Sequence, residues 1–124
     1  MAENNRAVGN AGEDAVCEYL KNKGCVIVRR NYYSPYGEID IVAEKDGCTS
    51  FVEVKTRASS KFARPCQAVN HTKQQHMINT ALSYIQKYSP ETMFRFDVAE
   101  VMYKKTGNKY EITDINYIES AFTL

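Results

Sequence analysis

Apolar residues recur at helical spacing over residues 6–23, where Val8, Ala11, Ala15, Tyr19 and Leu20 form one stripe and Val16 and Cys17 widen it. Gly24 is placed to stop that helix. Residues 25–30 are then apolar almost throughout before turning basic, which predicts a strand. An irregular link follows over 31–36, with Pro35 and three tyrosines. Residues 37–43 and 49–57 are rich in Ile, Val and Phe and predict two neighbouring strands. The polar connection over 44–47 contains an Asp-Gly pair, a strong hairpin signal. Residues 58–67 are small, polar and basic, and read as a loop over the end of the sheet. A second helix is predicted from about Thr72, since Thr72-Lys73-Gln74-Gln75 fits a capping box; Met77, Ile78, Ala81, Leu82 and Ile85 give it one apolar face, and Ser89-Pro90 ends it. Residues 93–101 alternate as a fourth strand and 110–115 form a fifth, joined by a turn over 104–108. The tail carries Tyr117, Ile118, Ala121 and Phe122, enough to dock on the core. The order α-β-β-β-α-β-β predicts an α/β fold: a mixed five-stranded sheet flanked by helices. Strand four would return beside strand three through a right-handed crossover over the second helix.

Length and composition narrow the class. A chain of 124 residues suits one domain spanning 1–124, with the polar residues 1–5 disordered or frayed. No stretch is apolar enough for a membrane span or a signal-peptide core, so the expected location is cytoplasmic, with no membrane partner. Cys17, Cys25, Cys48 and Cys66 are widely spaced and read as reduced thiols rather than a zinc or disulfide set. His71 and His76 are five apart, off a shared helix face, which argues against a metal pair.

Net charge is only +1, but its distribution is uneven. Residues 54–90 contain no Asp or Glu and six bases: Lys55, Arg57, Lys61, Arg64, Lys73 and Lys87. Such a segment suits an anionic partner such as a nucleic-acid backbone, or is simply a solvated face. Arg29 and Arg30 stand beside Tyr32, Tyr33 and Tyr36. These tyrosines either stack on unpaired bases or, more commonly, pack a loop onto a core.

Three charges interrupt the central apolar strands: Asp40 within Ile39-Asp40-Ile41-Val42, and Glu53 and Lys55 within Val52-Glu53-Val54-Lys55. A charge inside a buried strand is costly unless it is paired or holds a metal. Residues two apart share a face, so Glu53 and Lys55 project together while Val52 and Val54 point the other way. Asp40, on the hairpin partner, can face the same side. Two carboxylates meeting there make a hard-oxygen site suited to Mg2+ or Mn2+. A lysine beside them suits orienting an attacking water or countering charge on a phosphate. Glu-x-Lys alone is a weak motif, and the plain alternative is an exposed salt bridge of little worth. The combination with an acid-free basic segment leaving from the same point favours a phosphodiesterase site.

Asp40 followed by Glu53-Val54-Lys55 on the next strand resembles the PD-(D/E)xK signature of the restriction-endonuclease-like nucleases, with Ile39 where that signature has proline. The whole chain resembles the YraN-like family of small bacterial proteins, relatives of the archaeal Holliday-junction resolvases. The resemblance is carried by Gly9, Gly12, Glu13, Arg30-Asn31, the run from Gly37 to Ala43, the run from Phe51 to Arg57, Lys73, Ala81, and Arg95-Phe96-Asp97-Val98. It implies a restriction-endonuclease-like core in which Asp40 and Glu53 bind Mg2+ or Mn2+ and Lys55 assists the water. Glu13 would join from the first helix, and Lys73 would contact a phosphate from the second, with Arg57, Arg30, Lys61 and Arg64 as further nucleic-acid contacts. It further implies DNA, branched or single-stranded, in repair or recombination, and a homodimer. Two readings from other classes stand beside it: a non-catalytic nucleic-acid-binding or adaptor protein that kept the fold, and a protein–protein module.

Overall fold

The alternating apolar stripes pair into one sheet in the computed structural model, which describes residues 5–59 and 69–123. The elements are α1 (Asn5–Asn22), β1 (Val26–Ser34), β2 (Gly37–Lys45), β3 (Cys48–Ala58), α2 (His71–Tyr88), β4 (Met93–Thr106) and β5 (Lys109–Phe122). The strands lie in chain order, β1-β2-β3-β4-β5. All neighbours are antiparallel except β3 and β4, which run parallel with α2 between them in the chain. This is the expected mixed sheet in the expected element order. Residues 1–4, most of the basic loop, Lys61, Arg64 and Cys66 lie outside the described residues.

Strand alternation builds two cores. Ile41, Ala43, Val52, Ala99 and Val101 pack on one face against Val16, Cys17 and Leu20 of α1. Ile39, Val42, Phe51 and Phe96 pack on the other against Met77, Ile78, Ala81 and Tyr84 of α2. Turn chemistry sets the register. Asp46 and Gly47 both take positive φ, 49° and 74°, as a two-residue hairpin of the right twist requires, and Lys45 pairs directly with Cys48. The α1 helix closes with Cys25 N–H donating to Leu20 O and Gly24 N–H donating to Lys21 O, each at 2.9 Å, with Gly24 left-handed.

Three local expectations are corrected. The second helix begins one residue earlier than predicted, and its cap is Asn70 rather than Thr72: Asn70 Oδ1 accepts from Lys73 N–H at 2.8 Å. Asparagine caps at least as well as threonine and stood in the better position. The supposed irregular link over 31–36 is strand as far as Ser34, and only Pro35 and Tyr36 form a turn. β1 continues to Ser34 across a bulge near Arg29, and Tyr33 pairs with Glu38. The fifth strand runs on to Phe122, whose ring stacks on Phe96 at 4.9 Å, so the tail docks on the core as part of the sheet.

That last extension depends on Asp97, a fully buried acid. Its carboxylate accepts from Arg95 Nε at 3.0 Å, Tyr117 Oη at 2.6 Å and the Ser120 amide at 2.9 Å. A buried charge so fully bonded is tolerated, and it holds β5 where Ser120 turns to a φ of 50°.

Of the two glycines near the start of α1, Gly9 and Gly12, only Gly12 brings the helix close to the sheet. A Cβ on Gly12 would lie 2.1 Å from Thr56 Oγ1, whereas one on Gly9 meets nothing within 4 Å. Gly12→Ala is therefore expected to destabilise by roughly 1–3 kcal/mol through overpacking. Gly9→Ala should stabilise by about 0.5–1 kcal/mol, the ordinary gain of alanine within a helix. Chemical denaturation of both variants, with Thr56→Ala recovering much of the Gly12→Ala loss, checks the contact.

Candidate active site

The β2–β3 ladder runs from Lys45 and Cys48 to Ile41 and Val52, and there the paired register ends. The next residues are Asp40 and Glu53. Alternation in β2 also slips here, since Ile41 packs on the α1 side and Ile39 on the α2 side. Asp40 occupies the slip, so it does not simply share the Glu53 face as strict alternation would have it. Its Oδ2 accepts the Val54 amide at 2.8 Å, a side chain replacing a ladder bond where the two strands part.

On β3, Glu53 and Lys55 do share a face, the one on which Phe51 meets α2, and Val54 packs toward α1. Glu53 is buried. Its Oε1 lies 3.5 Å from Lys73 Nζ of α2, and its Oε2 is buried without a hydrogen-bond partner. Lys55 is half-buried and, among the described residues, has no ion pair within 4.0 Å. In the parallel pairing it stands directly beside Glu100 of β4.

Electrostatics mark the same spot. Burial pushes the Asp40 carboxyl up to about 8, the Glu53 charge adds to the rise, and the Val54 amide opposes it. Glu53 is also raised, by burial first, with Lys73 and Lys55 pulling it down. Glu13, on α1, is raised by burial, and Arg30 opposes this from 3.4 Å. Glu13 and Glu38 add to the rise at Asp40 as Glu53 does, so the charges of three acids converge on it.

Among the described residues, three of the predicted nucleic-acid contacts, Arg30, Lys73 and Arg57, are engaged within the chain. Arg30 is shared between Asp14 at 2.8 Å and Glu13, Lys73 lies on Glu53, and Arg57 Nε is 3.8 Å from Glu100 Oε2. Tyr32 packs edge-on against Tyr84 in the core, while Tyr33 and Tyr36 remain exposed. The described cysteines, Cys17, Cys25 and Cys48, are free. Glu38 and Glu100 were not singled out from the sequence. Glu38 starts its strand beside Gly37 and resembled a surface acid. Glu100, in Ala99-Glu100-Val101, carries the same acid-in-an-apolar-run signal that selected Asp40.

A divalent cation fits this donor set. Two buried carboxylates repel each other, and one of their oxygens lacks any partner. No three His, Cys, Asp or Glu side chains converge among the described residues. A cation here would therefore rest on the two carboxylates alone, and Mg2+ and Mn2+ are ions that bind through one or two carboxylates and complete their shell with water and phosphate oxygens.

The chain matches the model of a family described as "Uncharacterised protein family UPF0102" over residues 12–101. It is 43% identical to a UPF0102 protein of Caldicellulosiruptor saccharolyticus over 120 residues, covering 96% of this chain and 99% of the relative. A UPF0102 protein of Dictyoglomus thermophilum is 38% identical over the same length and coverage. One from Clostridium perfringens is 39% identical over 98% of both chains. Among the described residues, no helix is long and apolar enough to cross a membrane.

The raised Asp40 carboxyl makes stability depend on pH. An unfolded Asp releases its proton near 3.8 and the folded one near 8, so the folded state binds more protons between those values. Its contribution is complete below the unfolded value and is lost as pH rises through the folded one. Asp40→Asn keeps an acceptor for Val54 and removes the charge. In chelator, its melting temperature is expected to match wild type near pH 4 and to exceed it increasingly toward pH 8, by about 4 °C or more for each kcal/mol. Parallel pH profiles for the two proteins would contradict the raised value.

Proposed function

The chain belongs to the UPF0102 family, and on that footing we propose that it is a Mg2+- or Mn2+-dependent endonuclease-like protein acting on DNA, branched or single-stranded, in repair or recombination. The observation that carries this reading is the pair of buried carboxylates at the parting of β2 and β3, one with an unpartnered oxygen, beside a lysine free of ion pairs. The likeness of Asp40, Glu53 and Lys55 to the PD-(D/E)xK signature supports it.

On this reading Asp40 and Glu53 hold the cation, which supplies positive charge against the scissile phosphate and acidifies the attacking water. Lys55 donates to that water from the Glu53 face and counters the negative charge that develops on phosphorus. Glu13 and Glu38 add to the negative field that draws a cation in. Asp40 is held by the Val54 amide, so its second oxygen is oriented by the backbone rather than by a mobile side chain. Lys73 and Arg57, now balancing Glu53 and Glu100, are the further cations that meet an incoming phosphate beside Lys55.

One observation favours a second reading. The Lys73–Glu53 pair at 3.5 Å gives the buried acid a resident cation, as a non-catalytic nucleic-acid-binding protein that kept the fold would have. Cleavage of branched, nicked and single-stranded DNA with Mg2+ or Mn2+ separates the two. Wild type is expected to cut at least one substrate. Lys55→Ala should cut it about 10²–10⁴-fold more slowly, the usual size of an acid–base contribution, with DNA affinity within a few-fold of wild type. Equal inertness of both proteins, with salt-sensitive DNA binding unaffected by Asp40→Asn or chelator, would establish the second reading instead.

A further inference from the structure

Among the described residues, two buried carboxylate oxygens have no hydrogen-bond partner: Glu53 Oε2 and Glu100 Oε2. The proposed function uses the first and leaves the second unexplained. The Glu100 side chain is only 9% exposed, and its single ion-pair contact is Arg57 Nε at 3.8 Å, beyond hydrogen-bond reach. An acid that deep is costly unless the charges around it compensate it.

Those groups are fixed by register. β3 and β4 pair in parallel with Lys55 beside Glu100, and Glu53 stands two residues back on the Lys55 face. Lys73 takes Glu53 from α2 and Arg57 approaches Glu100. The charges therefore alternate, Lys73, Glu53, Lys55, Glu100, Arg57, with Lys55 central and, among the described residues, in no ion pair within 4.0 Å. Glu53 Oε2 is therefore left without a hydrogen bond although Lys73 and Lys55 both flank its carboxylate.

We propose that Glu100 is a positioning residue. Its charge offsets the pull of Glu53 on Lys55, so that neither acid captures the lysine and Glu53 Oε2 stays unpaired, left for a divalent cation. This deepens the metal-dependent reading and rests on it for its purpose, although the balance of charges stands without it. Glu100 itself touches neither cation nor substrate. Its influence passes through Lys55, as second-layer groups commonly alter metal affinity by about 10–100-fold.

Glu100→Gln keeps the shape and removes the charge. In metal-free crystals of this variant, Lys55 Nζ is expected within 4 Å of the Glu53 carboxylate. By calorimetric titration, Mn2+ should bind it about tenfold more weakly than wild type. Adding Lys55→Gln should abolish that difference, because the lysine that closes the site is gone. Arg57→Gln acts in the opposite sense and covers the case in which Glu100→Gln does not fold. Glu100 then gains hold of Lys55, and Mn2+ should bind at least as tightly as in wild type. An unpaired Lys55 in Glu100→Gln would overturn the proposal. So would a loss of Mn2+ binding that Lys55→Gln does not relieve, since Glu100 would then be a ligand or plain scaffold. Wild type that binds no Mn2+ would count against the metal-dependent reading itself, and the Lys55–Glu53 distance would still decide the role of Glu100.

Discussion

The bond from the Val54 amide to the Asp40 carboxylate is the constraint on which the site turns. Two antiparallel strands cannot separate inside a protein without leaving backbone groups unpaired, and an unpaired buried amide costs about 1–3 kcal/mol. Here a side chain takes over from the ladder immediately beyond Ile41 and Val52, so β2 and β3 part without an orphaned donor. The same bond draws a carboxylate into the interior next to Glu53. What results is a pair of acids that cannot both ionise comfortably without added positive charge, as the upward displacement of both shows.

Rigid neighbours keep that tension from relaxing. Gly12 lets α1 close against Thr56 on the very strand that carries Glu53 and Lys55. Asp97, locked by Arg95, Tyr117 and Ser120, ties β5 to β4 and so fixes the far side of the parallel pair. With β4 held, Glu100 stands beside Lys55 by register rather than by side-chain choice. Aromatic packing of Phe51 on Phe96 and Tyr84 fills the floor beneath the same strands with close-packed rings.

Much of this was legible in the residues. The five strands, both helices and their order follow from period-two and helical spacing, and the Asp46-Gly47 turn was marked by its own chemistry. Asp40, Glu53 and Lys55 stood out because charges inside apolar runs are costly. What escaped has physical reasons. A bulge near Arg29 and a left-handed Asn31 disguise the second half of β1 as a loop. Asn70 sits outside any apolar stripe, so only its bond to Lys73 reveals it as the cap. Strict alternation would set Asp40 on the Glu53 face, and the slip in β2 appears only once Ile39 and Ile41 are seen on opposite cores. Which acids meet which bases depends on the parallel register of β3 and β4, and that register joins residues about 45 apart in the chain.

The row of alternating charges also bears on how cation and nucleic acid would affect each other on the proposed reading. Lys73 is half-exposed and balances Glu53 across 3.5 Å, a pair loose enough to exchange partners. A phosphate that draws Lys73 away leaves Glu53 with more uncompensated charge, which strengthens its hold on a divalent ion. By linkage the converse holds to the same degree: occupation of Glu53 weakens its claim on Lys73 and releases that lysine toward the backbone. Arg57 does not share this coupling, because its partner Glu100 is tied through Lys55 rather than to the cation. The two basic side chains flanking the site therefore differ in kind, one responsive to what Glu53 holds and one a standing counter-charge, although composition alone makes them look alike.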